Sequence, residues 1–140
     1  MKLGDPKKKP IKKSKLIKEC DDLVSLIVRA RDGSCVCCGK TENLTCGHLI
    51  TRGCHIIRFD FTNCNCQCRG CNFLHEHRPE RYTKWWINKY GKDAYDKLVA
   101  LSWQTKNWKI PELLELKQEL QEKLAEVRKQ KELDDLSELF

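Results

Sequence analysis

The sequence predicts an α+β fold, in which a small cysteine-rich β core lies between helices and a long C-terminal helix follows. Three observations predict it. Nine of the ten cysteines fall within residues 35–72. Apolar residues recur at helical spacing on both sides of that segment. A stripe of leucines continues beyond Pro111. At 140 residues, the chain is expected to form one domain with an appended arm.

The first segments are a basic arm and a helix. Residues 1–13 are rich in lysine, proline and glycine, which predicts a flexible arm. From Ser14 to about Arg31 the apolar residues fall on one face of a helix, and "DGS" ends it. Residues 35–72 are then expected to form a cysteine knuckle, two short strands joined by a long loop, and a second knuckle.

Helices are predicted for the rest of the chain. A short helix begins near Cys71–Asn72 and ends by Arg78–Pro79, and "PERYTKWWINKYG" and "KDAYDKLVALSW" give two more. After a break at Pro111, the last helix runs from Glu112 to about residue 132. The predicted division of the chain is therefore an arm (1–13), a core with flanking helices (14–110) and a long helix (111–140).

Charge is distributed unevenly. The net charge is +7, but residues 1–110 carry 22 basic and 11 acidic side chains, whereas residues 111–140 carry 5 and 9. A basic body favours a polyanionic partner, because lysines and arginines that neutralise phosphates release counterions. A solvated surface with a lysine-rich arm explains the same composition. Composition alone leaves both interpretations open.

Cysteine usage points to metal rather than to disulfides. No apolar run is long enough to cross a bilayer, and the N-terminus lacks the apolar region of a signal peptide. The expected compartment is therefore the reducing cytosol, where cysteines act as ligands or buried thiols. Two Cys-x-x-Cys pairs, Cys35 with Cys38 and Cys68 with Cys71, can give four thiolates to one tetrahedral Zn²⁺.

The other cysteines have simpler interpretations. Cys64 and Cys66 alternate with polar residues, as the buried face of a strand does. Cys20, Cys46 and Cys54 are interpreted as small hydrophobic residues. Cys37, inside the first knuckle, is ambiguous and could compete as a ligand.

Three polar residues accompany the knuckles. His48 lies on a short apolar strand, Asn63 begins the next strand, and Asn72 follows the last knuckle cysteine. This order resembles the HNH, or ββα-metal, nucleases, and more closely the phage recombination nucleases of the NinG (Rap) family. The likeness covers residues 14–125. It is carried by Gly47-His48-Leu49-Ile50-Thr51-Arg52, Arg58-Phe59-Asp60, Asn63, Gln67-Cys68 and Cys71-Asn72.

The resemblance implies a treble-clef, or ββα-metal, core that binds structural zinc and carries a nuclease site. In such enzymes the strand histidine is the general base, a role that falls on His48; a neutral imidazole suits it near pH 7. Asn63 would orient that histidine through the loop. Asn72 would bind the catalytic divalent ion, for which Mg²⁺ or Mn²⁺ is expected.

Two positions depart from the family's pattern. Many HNH sites have an aspartate ligand just before the base, where this chain has Gly47, and the family's usual histidine after the middle asparagine is Asn65. The second protein ligand of the catalytic ion is then expected to come from elsewhere or to be absent. Asp60 is the first choice, with His75 and His77 as the other candidates.

Basic residues and the last helix suggest partners. Arg52, Arg58 and Arg69 lie near the expected site in sequence, so phosphate contact is expected, with structural salt bridges as the alternative. The leucine stripe of the last helix suggests a homodimer. The alternative is a helix that packs back across its own domain.

The predicted function, as the resemblance implies it, is divalent-metal-dependent cleavage of branched DNA such as Holliday junctions and D-loops. The protein would be encoded by a phage or prophage and act in the cytosol of the bacterial host. Two alternatives stay open: a non-catalytic zinc module that binds branched DNA or a recombination partner, and a thiol-based redox or metal sensor.

Overall fold

The structure, a computed structural model, describes residues 9–140, so most of the predicted arm over residues 1–13 lies outside the described residues. The described part is a mixture of helices and one small sheet, as the α+β prediction requires. A short 3-10 helix occupies His55–Ile57. The other elements are α1 (Lys13–Asp32), β1 (Leu44–His48), β2 (Cys64–Cys68), α2 (Arg69–His77), α3 (Glu80–Tyr90), α4 (Lys92–Ser102) and α5 (Ile110–Ser137).

The two strands form an antiparallel hairpin, to which α1 and α2 are attached. Leu44 pairs with Cys68 at one end, and His48 pairs with Cys64 at the other. Helix α2 begins directly after β2, and the Cys68 side chain caps it by accepting a hydrogen bond from the backbone N–H of Cys71. The end at Leu44 and Cys68, beside the cysteine knuckles, is called the closed end. The end at His48 and Cys64, where the long loop over residues 49–63 joins the strands, is called the open end.

Helix α1 lies between the hairpin and α5. Its buried residues recur every three or four positions, and they pack with leucines of α5 in one core. Gly33 ends the helix at φ +70°, which glycine adopts without strain, and its N–H donates to the Arg29 carbonyl at 2.9 Å. The core residues of α1 are Leu16, Cys20, Val24, Ile27 and Val28, and those of α5 are Leu113, Leu120 and Leu124.

The end of α1 covers the outer edge of β2. The Asp32 carboxylate accepts a hydrogen bond from the Cys66 N–H at 2.9 Å, and Arg31 donates to the Cys64 carbonyl at 3.0 Å. The Val36 N–H also donates to the Cys66 carbonyl at 2.9 Å. A two-stranded sheet is marginal by itself, so these contacts hold the hairpin in register and fix α1 against it.

Helices α3 and α4 pack against the long loop. Tyr82 and Trp86 of α3 are buried with Leu98 of α4, and the loop residues Leu49 and Ile57 complete this second core. The Trp86 indole N–H donates to the Thr62 carbonyl at 2.6 Å. The loop is therefore packed at Leu49 and Ile57, although it contains little regular structure and residues 51–53 are exposed.

The leucine stripe of α5 is used within the chain. Leu113, Leu120 and Leu124 are buried against α1, with Leu116 and Val127 packed beside them. This part of the stripe therefore packs back on the chain's own domain, as the alternative expects, and the homodimer stays a prediction. The helix also extends to Ser137, past the predicted end, because no glycine or proline follows residue 128. No helix in the part of the chain that the structure describes has the length and apolar composition to cross a membrane.

Candidate functional site

Four cysteine sulfurs meet at the closed end of the hairpin. The Sγ atoms of Cys35, Cys38, Cys68 and Cys71 all lie within 4.8 Å of one another, and Cys38 and Cys68 are 3.6 Å apart. Four sulfurs at about 2.3 Å from one ion form a tetrahedron with edges of roughly 3.8 Å. The cluster therefore fits a structural zinc ion, in the arrangement that the two Cys-x-x-Cys pairs predict.

Backbone N–H groups close the first knuckle and lower the pKa of two of these thiols, Cys35 and Cys68. Gly39 has φ +81°, and its N–H donates to the Cys35 carbonyl at 2.8 Å, which closes the first knuckle. Burial raises the pKa of Cys35, but hydrogen bonds from backbone N–H groups outweigh it and lower that pKa to about 6. Backbone N–H donation also lowers the pKa of Cys68, whereas burial and the adjacent thiols raise that of Cys71. Such crowding of thiols favours a bound cation.

Cys37 does not join the cluster. Its sulfur accepts a hydrogen bond from the Gln67 side-chain amide at 3.3 Å, and burial raises its pKa. The sequence left open whether Cys37 competes as a ligand. It does not, because its sulfur is directed towards Gln67 and lies outside the four-sulfur cluster.

The open end of the hairpin borders a cleft of about 640 Å³ between α1, β1 and α2. Its lining is mostly polar, and both acidic and basic side chains face it. The lining residues are Asp21, Asp22, Ser25, Cys46, His48, Leu49, Thr51, Arg52, Asn72, His75 and Glu76. Four residues singled out from the sequence thus share one cleft: His48, Arg52, Asn72 and His75.

His48 is held by the loop. Its Nε2 lies 3.0 Å from the Arg58 carbonyl oxygen, and because a carbonyl only accepts, Nε2 carries the hydrogen and Nδ1 keeps its lone pair. Burial lowers the pKa of His48, with the guanidinium groups of Arg52 and Arg58 acting in the same direction and the hydrogen bond to the carbonyl opposing them. The imidazole is therefore neutral at neutral pH.

Asn63 ties the two ends of the loop together. Its side chain accepts a hydrogen bond from the Ile50 N–H at 2.9 Å and donates to the carbonyls of Ile50 and Ile57, at 3.0 and 3.3 Å. Arg58, whose carbonyl holds His48, is the next residue after Ile57. Asn63 thus binds the loop beside Arg58 and makes none of these hydrogen bonds to His48 itself.

The two residues predicted to bind a divalent ion are separated. Asn72 lines the cleft, and its amide N–H donates to Thr45 Oγ1 at 3.0 Å, which leaves its carbonyl oxygen for another partner. Asp60 lies outside the cleft lining, because its carboxylate accepts hydrogen bonds from the N–H and hydroxyl of Thr62, both at 2.7 Å. The structure therefore does not bring Asp60 to Asn72.

The three arginines predicted to contact DNA have different surroundings. Arg52 lines the cleft. Arg58 makes two hydrogen bonds to Asp21, at 2.9 and 2.6 Å, and both side chains are about 15 % exposed. Arg69 is exposed beside Lys40 at the closed end, on a different surface. The salt-bridge alternative thus holds for Arg58, and only Arg52 is placed at the cleft.

Sequence reasoning missed the acidic residues of the cleft. Asp21 and Asp22 come from α1, and Glu76 comes from α2. His75, one of the alternative ligands, also lines the cleft; its Nε2 donates to the Leu49 carbonyl at 2.8 Å, while its buried Nδ1 has no hydrogen-bond partner within the described residues. The helical spacing of Asn72, His75 and Glu76 places them on one face of α2, a signal that was present in the sequence.

The two departures from the nuclease pattern have a structural cause. A Cβ atom at Gly47 would lie 2.0 Å from the Gln67 side-chain oxygen, and Gln67 is fully buried. Asn65 donates to the Tyr82 hydroxyl at 3.1 Å, which in turn donates to the Gly47 carbonyl at 2.7 Å. A buried network of amide and hydroxyl groups therefore occupies the space beside Gly47 and Asn65.

Comparison with known proteins gives a consistent result. Residues 4–132 match the family model for the bacteriophage lambda NinG protein. The proteins named "Protein ninG" of Escherichia phage 933W and of Enterobacteria phage VT2-Sa are each 28% identical to this chain over 117 residues. That alignment covers 80% of this chain and 58% of each relative, so the chain spans little more than half the length of these relatives. No solved structure matches the chain significantly. Because the family model spans most of the sequence, the chain belongs to the NinG family of bacteriophage proteins.

Proposed function

We propose that the protein is a divalent-metal-dependent endonuclease of the HNH type that cuts branched DNA in the cytosol of a phage-infected bacterium. The observation that carries this proposal is the placement of His48. It lies at the end of β1 in the polar cleft, and a loop carbonyl fixes its tautomer. The order β1, β2, α2 around a four-cysteine cluster supports a ββα-metal core.

His48 supplies the chemistry of a base. With Nε2–H held by the Arg58 carbonyl, the Nδ1 lone pair can take a proton from a water molecule that attacks a phosphodiester. Asn63 keeps the loop, and through it the imidazole, in position. In general acid–base catalysis, such a group contributes about 10²- to 10⁴-fold to the rate.

The cleft also has ligands for a hard cation. Asn72 presents an amide oxygen, and the carboxylates of Asp22 and Glu76 line the same space. Oxygen ligands of this kind suit Mg²⁺ or Mn²⁺, which would stabilise the charge that develops on the phosphate oxygens. Glu76 and Asp22 replace Asp60 as the candidates for the second ligand.

Branched DNA is the proposed substrate because of the likeness to phage recombination nucleases. Arg52 at the cleft and the excess of basic residues before position 111 favour a polyanion. In this proposal Arg69 and Lys40 form a separate basic contact for another arm of the junction.

A second candidate is a zinc module that binds branched DNA without cutting it. The observation that favours it is the amide network at Gly47, Asn65 and Gln67, which leaves no side chain for a metal ligand just before His48. A binding module would have the same affinity for branched DNA as the nuclease would, but His48 would have no catalytic role in it.

Cleavage of a labelled four-way junction and of a matched linear duplex, with Mg²⁺ or Mn²⁺, separates the two. The wild-type protein should cut the junction, and His48→Ala should lower that rate about 10²- to 10⁴-fold with junction binding unchanged. His55→Ala, which changes a histidine outside the cleft, is the matched control. Tight junction binding without cuts in either metal would leave the binding module as the function.

A further inference from the structure

A second group of metal-ligating atoms lies at the open end of the hairpin. The sulfurs of Cys46 and Cys64 and a ring nitrogen of His48 all lie within 4.8 Å of one another. Cys46 and His48 are two positions apart on β1, and Cys64 pairs with His48 across the sheet. Strand alternation therefore puts all three side chains on the same face. The sequence pattern had suggested only apolar packing for the two cysteines.

We propose that Cys46, His48 and Cys64 form a second metal site, which takes Zn²⁺ or a similarly thiophilic divalent cation. Two thiolates and one imidazole are a donor set that zinc accepts when the fourth position is open to water. Sulfur ligands do not suit Mg²⁺, which prefers oxygen. The site thus selects a different class of ion from the oxygen ligands of Asn72 and Glu76 in the same cleft.

The three side chains already converge. The Arg58 carbonyl accepts a hydrogen bond from His48 Nε2 at 3.0 Å, and the Cys64 sulfur lies 3.5 Å from the same oxygen. Cys46 and His48 line the cleft, whereas Cys64 is fully buried behind them. An ion can therefore enter from the cleft, bind to all three side chains and keep its fourth position towards solvent.

Binding would exchange two protons for one cation. Cys46 and Cys64 each release a thiol proton to solvent as their sulfurs become ligands, and the imidazole uses a nitrogen lone pair. His48 then has no free lone pair with which to accept a proton from water. Occupancy of this site therefore inhibits cleavage, a consequence that rests on the proposed function of His48.

Zinc stoichiometry tests the site without any assay of cleavage. The reduced protein is dialysed against buffered Zn²⁺, and bound zinc per chain is measured. Two ions are expected for the wild-type protein and for the control Cys54→Ala, since Cys54 belongs to neither cluster. One ion is expected for Cys46→Ala and for His48→Ala. Cys64 is left unchanged because its burial makes it part of the core.

Cd²⁺ serves as a second probe. Its second equivalent should add thiolate charge-transfer absorption in the wild-type protein and in Cys54→Ala but not in Cys46→Ala. Far-ultraviolet circular dichroism and retention of the first zinc ion show that each variant is folded. A single ion in the wild-type protein, or two in a folded Cys46→Ala, would overturn the proposal.

Inhibition of cleavage tests the consequence. Zn²⁺ is titrated into Mg²⁺-supported junction cleavage, and each variant is compared with its own rate without zinc. Loss of a ligand should weaken inhibition of Cys46→Ala at least about tenfold relative to Cys54→Ala. If the wild-type protein does not cut DNA, the proposed function fails, and the stoichiometry still decides whether the site exists. Two bound ions with undiminished cleavage would overturn the inhibitory role.

Discussion

The two ends of the hairpin are built in different ways. The four cysteine sulfurs of the closed end come from the turn after α1 and from the junction of β2 with α2, and they converge on one point. The open end is held by hydrogen bonds to loop backbone, chiefly those of Asn63, and by the ion pair of Arg58 with Asp21. A zinc ion bound by these four sulfurs would keep the closed end fixed and so allow the other end to hold a cleft with partly unpaired polar groups.

This comparison predicts that changes at the closed end have the largest effect on folding, and that changes of cleft-lining side chains at the open end affect chemistry more than folding. The largest effect is expected for Cys68→Ser or for removal of zinc by a chelator. Structural zinc contributes about 10–16 kcal/mol of binding free energy in small domains, which is comparable to the whole stability of a domain. The cooperative unfolding transition, followed by circular dichroism in urea, should be lost.

Cys54→Ser is the control for that experiment, because Cys54 is half-buried and lies outside both clusters. Its unfolding midpoint should stay close to that of the wild-type protein. An unchanged midpoint in Cys68→Ser would mean that the closed end does not depend on a metal ion.

Asn63→Ala tests the strongest attachment at the open end. It removes three hydrogen bonds of a fully buried side chain and leaves backbone groups of Ile50 and Ile57 unpaired. A loss of about 2–4 kcal/mol in the free energy of unfolding is expected. Asn72→Ala, which removes one hydrogen bond in the cleft, should cost less than about 1 kcal/mol while still lowering cleavage.

Urea unfolding and junction cleavage, measured on the same preparations, separate these two variants. If Asn72→Ala proves the less stable of the two, Asn63 is not the stronger structural attachment at the open end.

Gly47→Ala tests the amide network beside His48. The new methyl group would overlap the buried side chain of Gln67, so we expect a loss of about 1–3 kcal/mol. Gln67→Ala in the same chain should recover part of that loss, because it removes the atoms that clash. A double-mutant cycle in urea measures the coupling. Additive effects would show that the close contact with Gln67 is not what requires glycine.

The smallest effects are expected for Arg52→Ala and Arg58→Ala, which should differ in whether they change DNA binding or stability. Arg52→Ala should reduce the slope of log K against log salt for junction binding by about 0.9, as loss of one phosphate contact does. Arg58→Ala should leave the slope unchanged and lower stability by about 1–3 kcal/mol, since it breaks a largely buried ion pair. A smaller slope of log K against log salt for Arg58→Ala would mean that Arg58 contacts a DNA phosphate.

Much of the closed end could be predicted from the sequence, because its signals are local. A Cys-x-x-Cys pair sits in one turn, and two such pairs that flank a pair of short strands leave few ways to arrange their sulfurs. The helix boundaries followed equally local signals, with Gly33 and Gly91 at the ends of α1 and α3. The last helix ran longer than predicted because nothing in residues 128–137 breaks it.

The open end could be predicted only in part, because it depends on tertiary packing. His48 and Asn72 reach the cleft from adjacent elements, but Asp21 and Asp22 arrive on α1, whose docking no short pattern reveals. The same docking pairs Arg58 with Asp21 across 37 positions of the sequence. Asp60 lies outside the cleft lining for a local reason: Thr62 follows it two positions later, and this spacing favours a turn closed by the Asp60 carboxylate.

The sandwiching of α1 between the hairpin and α5 limits how this protein can be divided. One wall of the cleft belongs to α1, and the opposite face of α1 is covered by α5, so residues 35–78 do not form a separable module. A fragment cut to the hairpin and α2 would lose the wall and expose the apolar face of the sheet. The cleft therefore depends on the distant last helix, and fusions are best tolerated beyond Val127, where α5 is exposed up to its end at Ser137.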